Sequence, residues 1–552
     1  MKRVFGIDLG TTYSCIAYVD EHGKPVVIPN SEGQSTTPSV VFFETSDHIV
    51  VGETAKDVAR VHEDRVVQSV KRAMGDPNWE FSCHSRTYRP QDISSFILRK
   101  VVGDAESELG EKIEDVVITC PAYFGTAERE ATKQAGILAG LNVLYVIPEP
   151  TAAAIAYGMS LDKDQIVLVF DLGGGTFDVT VIAVRDGSIE VVATGGEKEL
   201  GGKDWDDTVV AFFGKEFEAR TGLPAEQLFA DLSLYQELLL DAEKCKRTLS
   251  SRNSVIQKIR HEADSEAVEL SRESFESITA HLLERTVSLT REVLARAAGK
   301  GFGSIDTLLL VGGSTYMPQV FDRVSKEFPW PVQRNDPNQI VAKGAALFGY
   351  KCQLDQEIRI RIADTTGARA ETVQLDAVPA SVRDEAVREV AKEHGMALPG
   401  LKRLVEGTIT NVTSKSFGLK VMDNDGREGV NNLVLIDDKV PRSVTRQFCT
   451  FENDQTAVEL AVFENHDRRD DTLLDPAQCT EIGHAELTFR KALPKGSPIE
   501  VTFELSPDGL LKLHGRDLST AQEVRAEFKA DSIMTAQELA TSKSRNLAIK
   551  VS

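Results

Sequence analysis

The chain is short of cysteine, of positive charge and of long apolar runs. Its 7 cysteines (Cys15, Cys83, Cys120, Cys245, Cys352, Cys449 and Cys479) are odd in number and never stand in C-x-x-C spacing. That pattern suggests neither a disulfide framework nor a thiolate zinc site, and reads as reduced packing residues. Lys and Arg number 63 against 85 Asp and Glu, a net charge of −22. So acidic a chain lacks the basic footprint of a nucleic-acid binder or a polybasic membrane anchor, and neither partner is expected. The most apolar stretch, 136–158, is broken by Asn142, Pro148, Glu149 and Pro150. It falls short of the ~20 uninterrupted apolar residues of a membrane span. Met1-Lys2-Arg3 passes straight into the strand-like Val4-Phe5-Gly6-Ile7, without the apolar core of a signal peptide, so the expected compartment is the cytoplasm. Gly at 40 and Pro at 20 are too few for a low-complexity or collagen-like chain.

What is present is an ordinary globular composition over 552 residues, 41% hydrophobic and 27% charged. At roughly 150 residues per domain, that length suggests two to four domains. Residues 1–352 alternate β-branched apolar runs with amphipathic stretches, the pattern of α/β architecture. Segments 116–119, 166–170 and 307–311 read as buried strands, and the spacing predicts helices over 233–249 and 275–298. In 353–405 the texture changes: 365–368 (TTGA) reads as a loop, 381–394 as a charged helix, and Gly395 as its stop. This segment is expected to be a linker or insert. From 406 to 530 the period becomes two, as in Ile499, Val501, Phe503 and Leu505, with Ser506-Pro507-Asp508-Gly509 as a hairpin turn. An antiparallel β-sandwich is expected there. Residues 531–552 read as a short helix and tail.

An internal echo carries more weight than any single motif. VFGIDLGTTYSCIAYV at 4–19 and LVFDLGGGTFDVTVIAV at 168–184 both run strand, Asp-Leu-Gly, small polar turn, strand, with Asp8 and Asp171 at equivalent places. Two such units let two lobes face each other across a cleft, each turn offering N–H groups to phosphate oxygens and an Asp to a hydrated cation. A third glycine turn, Gly312-Gly313-Ser314-Thr315, follows a strand and offers close backbone approach to a nucleoside. There is no G-x-x-x-x-G-K-[ST] sequence, so the site is not a P-loop.

GIDLGTTYS at 6–14, VKRAMG at 70–75, PAYF at 121–124, IPEPTAAAIAYG at 147–158, FDLGGGTFDV at 170–179, LGGKDWD at 200–206, AEKCKRTLS at 242–250, LLLVGGST at 308–315 and VAKGAA at 341–346 closely resemble the ATPase signatures of DnaK-type chaperones, the 70-kDa heat-shock protein family. NVTSKSFGLKVM at 411–422 and FCTFENDQTAVELAVFENH at 448–466 look like that family's peptide-binding sandwich. The resemblance implies an α/β two-lobed, actin-like ATPase domain followed by an antiparallel β-sandwich. It implies an ATP-hydrolysing, stress-response chaperone for extended hydrophobic segments of unfolded clients. The cofactors would be ATP or ADP and Mg²⁺, with K⁺ as a further candidate, and the helpers a J-domain co-chaperone and a nucleotide exchange factor.

Phosphoryl transfer to water needs charge neutralisation and a positioned nucleophile. By resemblance, Asp8 and Asp171 hold Mg²⁺ mostly through its waters, and Asp171 or Asp178 accepts the proton of the attacking water. Gly10, Thr11, Thr12 and Tyr13 face Gly173, Gly174, Gly175 and Thr176 around the phosphates, with Gly201 and Gly202 beside them. Lys71 is matched to the γ-phosphate and Glu149 to the water. Glu243, Lys246, Arg247 and Ser250 are matched, with Gly312, Gly313 and Ser314, to the adenosine. Pro121 and Arg129 are matched to the interdomain relay, and Met422, Phe448, Phe451, Val458 and Leu460 to the peptide groove.

The pattern is not followed throughout. The family's short Leu-rich acidic linker is not found directly after the ATPase signatures, and a C-terminal helical lid is not expected. Tyr316 stands where the family has an arginine by the adenine, Asn338 where it has an aspartate near the ribose, and Phe451 where it has a small residue over the groove. An alternative reading is a nucleotide-gated module binding one dedicated protein partner. A small-molecule kinase on the same fold is disfavoured by the sandwich.

Overall fold

The computed structural model describes residues 3–158, 164–185, 187–423, 425–507, 509–518, 522–526 and 532–552. Two sheets with the same start organise the N-terminal part. In the first, the strand order is Asn142–Pro148, Asp115–Cys120, Val4–Asp8, Tyr13–Val19 and Pro25–Val27. In the second it is Val332–Arg334, Thr307–Val311, Gln165–Leu172, Phe177–Arg185, Ser188–Glu197, Ile409–Val412 and Lys439–Val440. Each echoed unit is the antiparallel pair at the middle of its sheet, Gly6 opposite Ala17 in one and Phe170 opposite Val179 in the other. The central strands are covered on both faces, which is why Val167, Leu168, Val169 and Phe170 form an unbroken apolar run with no exposure.

Small residues let the two lobes meet. The helices Glu149–Gly158 and Ile340–Thr366 pack together between the sheets in a core that includes Ala152, Ala153, Ala342 and Ala345. A Cβ on Gly344 would lie 1.7 Å from the Ala152 carbonyl oxygen, and one on Gly6 2.1 Å from the Ala346 nitrogen. The Ala- and Gly-rich strings at 147–158 and 341–346 are thus a packing requirement. In the second lobe, Trp205, Phe213 and Phe217 of helix Gly202–Thr221 are buried against Leu238 and Cys245 of helix Leu232–Leu249.

Residue 352 lies inside the long helix Ile340–Thr366. The helix runs through Thr365 and Thr366, which correct to helix from the expected loop, and ends at Gly367, whose φ of 71° supplies the left-handed stop. With helices Ala380–Glu393 and Leu398–Glu406 it buries Leu354, Ile358, Val390 and Leu401 in a separate small core. The chain then enters the second sheet as strand Ile409–Val412, parallel to Ser188–Glu197 with Ile189 opposite Ile409.

Beyond it lie two four-stranded antiparallel sheets. One is ordered Glu428–Val434, Ser416–Met422, Gln455–Asn465 and Thr480–Leu493, the other Arg442–Cys449, Pro498–Leu505, Leu511–Asp517 and Gln522–Ala526. Ile499, Val501, Phe503 and Leu505 all face the core between them, as their alternation predicts. The strands flanking the expected hairpin turn do pair, Leu505 with Leu511, while Asp508 of that turn lies outside the described residues. Helix Ala536–Ala548 lies on the first lobe, and strand Lys550–Val551 pairs in parallel with His48–Val51. Among the described residues no helix is long and apolar enough to cross a membrane.

Candidate functional site

A cavity of about 1100 Å³ opens between the lobes, lined by residues of both echoed turns. Asp8 ends strand Val4–Asp8, and Asp171 lies near the end of Gln165–Leu172, with Asp178 directly opposite it on the next strand. The strands therefore deliver Asp8 and Asp171 to the cavity lining, with Asp178 buried behind them. The turns touch: a Cβ on Gly174 would come 2.1 Å from the Thr12 Oγ1, and one on Gly175 2.3 Å from the Thr11 Cγ2. A Cβ at either position would collide with these threonines, which explains the second and third glycines of the GGG run. Behind them, Gly201 abuts Gly175 and Gly202 abuts Ser314, whose hydroxyl donates to the Gly173 carbonyl at 2.7 Å.

Glu149 opens helix Glu149–Gly158, and Lys71 sits in the 3-10 turn Val70–Ala73. Both are buried, and the Lys71 ammonium donates to the Glu149 Oε1. Burial alone would lower the Lys71 pKa, but Glu149 and Asp8 outweigh it and raise it. Asp8 is pushed up to about 7 by burial and by the nearby Glu149 charge, against Lys71 and a hydrogen bond from Thr119. Asp171 is raised well above the usual carboxylate range by burial, then by Glu149, Asp178 and Asp8. Asp178 is raised by burial and Glu149, although it accepts the Ala122 N–H at 2.8 Å. Its Oδ2 is buried without a hydrogen-bond partner among the described residues. Thr176 is buried at the close of the second turn.

At the cleft mouth, the Tyr13 hydroxyl donates to Glu243 at 3.2 Å and accepts from Lys56 at 2.9 Å and Arg247 at 2.7 Å. Lys56 also donates to Glu243 at 2.5 Å, so the four residues link the lobes. Lys246 donates to Asp206 at 2.7 Å and to the Gly202 carbonyl at 2.8 Å. Ser250, Gly312, Gly313, Tyr316 and Asn338 complete this end of the cavity. Of the residues singled out in the sequence, Asp8, Lys71, Glu149, Asp171, residues of both glycine turns and Glu243, Lys246, Arg247 and Ser250 line this one cavity, while Gly175, Gly201, Gly202 and Asp178 lie outside its lining.

Residues outside the sequence reading share the site. Arg72, adjacent to Lys71, donates from Nη2 to the Gly175 carbonyl at 2.6 Å and to Asp204 at 2.5 Å, joining the two lobes beside the glycine turns. Asp204 also accepts the Gly201 N–H at 2.7 Å. Asp206, pushed up to about 6 by burial against the pull of Lys246, lines the cavity. Arg72, Asp204 and Asp206 all fall within VKRAMG and LGGKDWD, where only the lysine and the glycines carry an obvious phosphate chemistry.

Away from the cleft, the Arg129 Nε donates to the Phe124 carbonyl at 2.8 Å, and its guanidinium lies beside Gly509 of the sandwich. Pro121 is buried next to Ala122, the residue that donates to Asp178. Lys415 of the sandwich pairs with Glu464 at the contact with Gly125. On the far side of the sandwich, Met422 and Phe451 are exposed, Phe448 and Val458 half-buried, and Leu460 wholly in the core. Two of the five expected groove residues, Met422 and Phe451, are thus exposed, whereas Phe448 and Val458 pack against the sandwich core and Leu460 lies within it. The Lys495 ammonium lies 5.0 Å above the Phe451 ring.

The family model described as Hsp70 protein matches residues 4–82, 76–367 and 370–548, nearly the whole chain. With that match joined to a cleft built from the echoed Asp-Leu-Gly turns, the chain belongs to the Hsp70 family.

Proposed function

We propose that the chain is an ATP-dependent chaperone that hydrolyses ATP in the interlobe cleft and holds extended hydrophobic segments on its sandwich. Hsp70 proteins are ATPases that bind ATP or ADP with Mg²⁺ and act on unfolded polypeptides with co-chaperones. One observation carries the assignment. Asp8, Asp171, Asp178 and Glu149 gather near the Lys71 ammonium, and burial first, then the neighbouring carboxylates, raises all three aspartates. A divalent cation fits this donor set, with Asp8 and Asp171 nearest to hold it through water, and when bound it neutralises phosphate charge. Lys71 meets the γ-phosphate, Glu149 fixes Lys71 and orients the water, and Asp171 or Asp178 takes the water's proton. Thr11, Thr12, Thr176 and the glycine N–H groups hold the phosphates. The sandwich binds a strand-like segment near Met422, Phe448, Phe451 and Val458, by main-chain hydrogen bonds and apolar contact.

The test is steady-state ATP hydrolysis by the purified chain with and without an extended hydrophobic peptide. Turnover that the peptide stimulates supports the reading. Absence of both binding and hydrolysis overturns it. Stimulation that unrelated peptides fail to reproduce would favour a single dedicated partner.

A further inference from the structure

Helices Pro90–Leu109 and Thr126–Leu138 of the first lobe bury Gln91, Asp92, Ser95 and Gln134, each no more than 3% exposed. Asp92 accepts the Arg89 N–H and Ser95 donates to the Asp92 carbonyl within their own helix, and the tail supplies further partners to all four side chains. Gln134 accepts the Met534 N–H at 3.0 Å and donates to the Met534 carbonyl at 2.9 Å. Gln91 donates to the Ser532 carbonyl at 3.2 Å. The fully buried Asn546 side chain donates to Asp92 at 2.9 Å and to Ser95 at 3.2 Å, and Arg545 adds a 2.9 Å bond to Asp92. Ile549, 2% exposed, enters the core of the lobe itself. The Lys550 N–H then donates to the Asp47 carbonyl at 2.9 Å, and Val51 donates to the Ser552 carbonyl at 2.9 Å. These contacts join residues 400 or more positions apart, so they form only when the chain returns across the molecule.

The sandwich is thereby held from both ends. Upstream, strand Ile409–Val412 extends the sheet of the second lobe, and the buried Asp437 meets Arg296 of that lobe at 3.1 Å. Downstream, the tail is fixed on the first lobe. We propose that the first lobe carries a built receptor for the chain's own residues 532–552, and that this strap keeps the sandwich docked on both lobes.

The test needs no nucleotide and does not depend on the chaperone reading. Hydrogen exchange is followed at His48–Val51 and at Ile409–Val412 in the full chain and in two variants. Ile549→Asp places a charge in the core of the lobe. Lys550→Pro removes the N–H that donates to the Asp47 carbonyl and leaves the core intact, so it reports even where Ile549→Asp fails to fold. Exchange at least tenfold faster at both segments in Lys550→Pro is the expected result. Faster exchange at His48–Val51 alone would overturn the strap, leaving the tail a local part of its lobe. Unchanged exchange at both would overturn the receptor as well.

Discussion

The Lys71 ammonium and the Glu149 carboxylate form a buried ion pair at the floor of the cleft, where three further carboxyls converge. Replacing Lys71 by Ala removes the cation that faces Glu149 and Asp8. ATP binding should change only a few-fold while kcat falls by ~10² to 10³, because this charge is needed most in the transition state. Isothermal titration and single-turnover hydrolysis separate the two effects, and equal turnover would remove Lys71 from the chemistry.

Arg72 ties the Lys71 turn to the Gly175 carbonyl and to Asp204. Arg72→Ala should loosen both phosphate turns together, slowing turnover about tenfold and speeding nucleotide release, since misplacement of about 1 Å can cost ~10²-fold. Arg72→Lys, which cannot keep both bonds, should recover little of it. Stopped-flow release of a fluorescent ATP analogue is the measurement.

At Gly174 a Cβ would meet the Thr12 Oγ1 at 2.1 Å. Gly174→Val should abolish measurable ATP binding while thermal unfolding moves little, because the clash opens the cleft and leaves the cores intact. Gly344→Ala should do the opposite: its Cβ would sit 1.7 Å from a helix carbonyl in the interlobe core, and overpacking of that kind costs about 1–3 kcal/mol or more. Calorimetry with and without ATP distinguishes the pair.

Glu464 sets a pH dependence at the sandwich contact. Burial raises its carboxyl to about 7, Lys415 opposing and Glu128 adding to the rise. The folded protein therefore holds a proton that the unfolded chain loses near 4.5, so stability declines as pH rises from about 4.5 to 7. Glu464→Gln should flatten this slope, and unfolding midpoints across pH 5 to 8 would show it. An unchanged slope would mean that Glu464 stays ionised.

Met422 and Phe451 are both exposed on the sandwich. Met422→Asp should weaken binding of an extended hydrophobic peptide at least tenfold and leave basal hydrolysis unchanged, as read by fluorescence anisotropy. Leu460 is a poor test of the groove, since its side chain is core and its loss would destabilise the sandwich by about 2–5 kcal/mol.

The alternation of Ile499, Val501, Phe503 and Leu505 predicts one buried face, and the unbroken run at 167–170 predicts a strand covered on both faces; each reading rests on a local period. The echoed Asp-Leu-Gly turns were equally legible, because phosphate and cation chemistry restricts which residues such a turn can hold. Arg72 and Asp206 were not, since a charged side chain has no periodic signature and its partner lies on another lobe. Nor could the sequence show that Ile409–Val412 would join a sheet edge, or that Asn546 would be buried against Asp92. Strand addition is recorded in backbone hydrogen bonds that any residue makes, and the partners are hundreds of positions apart. Local pattern thus determined the elements and the floor of the cleft, while the packing of the lobes decided which charges face one another and where the chain's end is held.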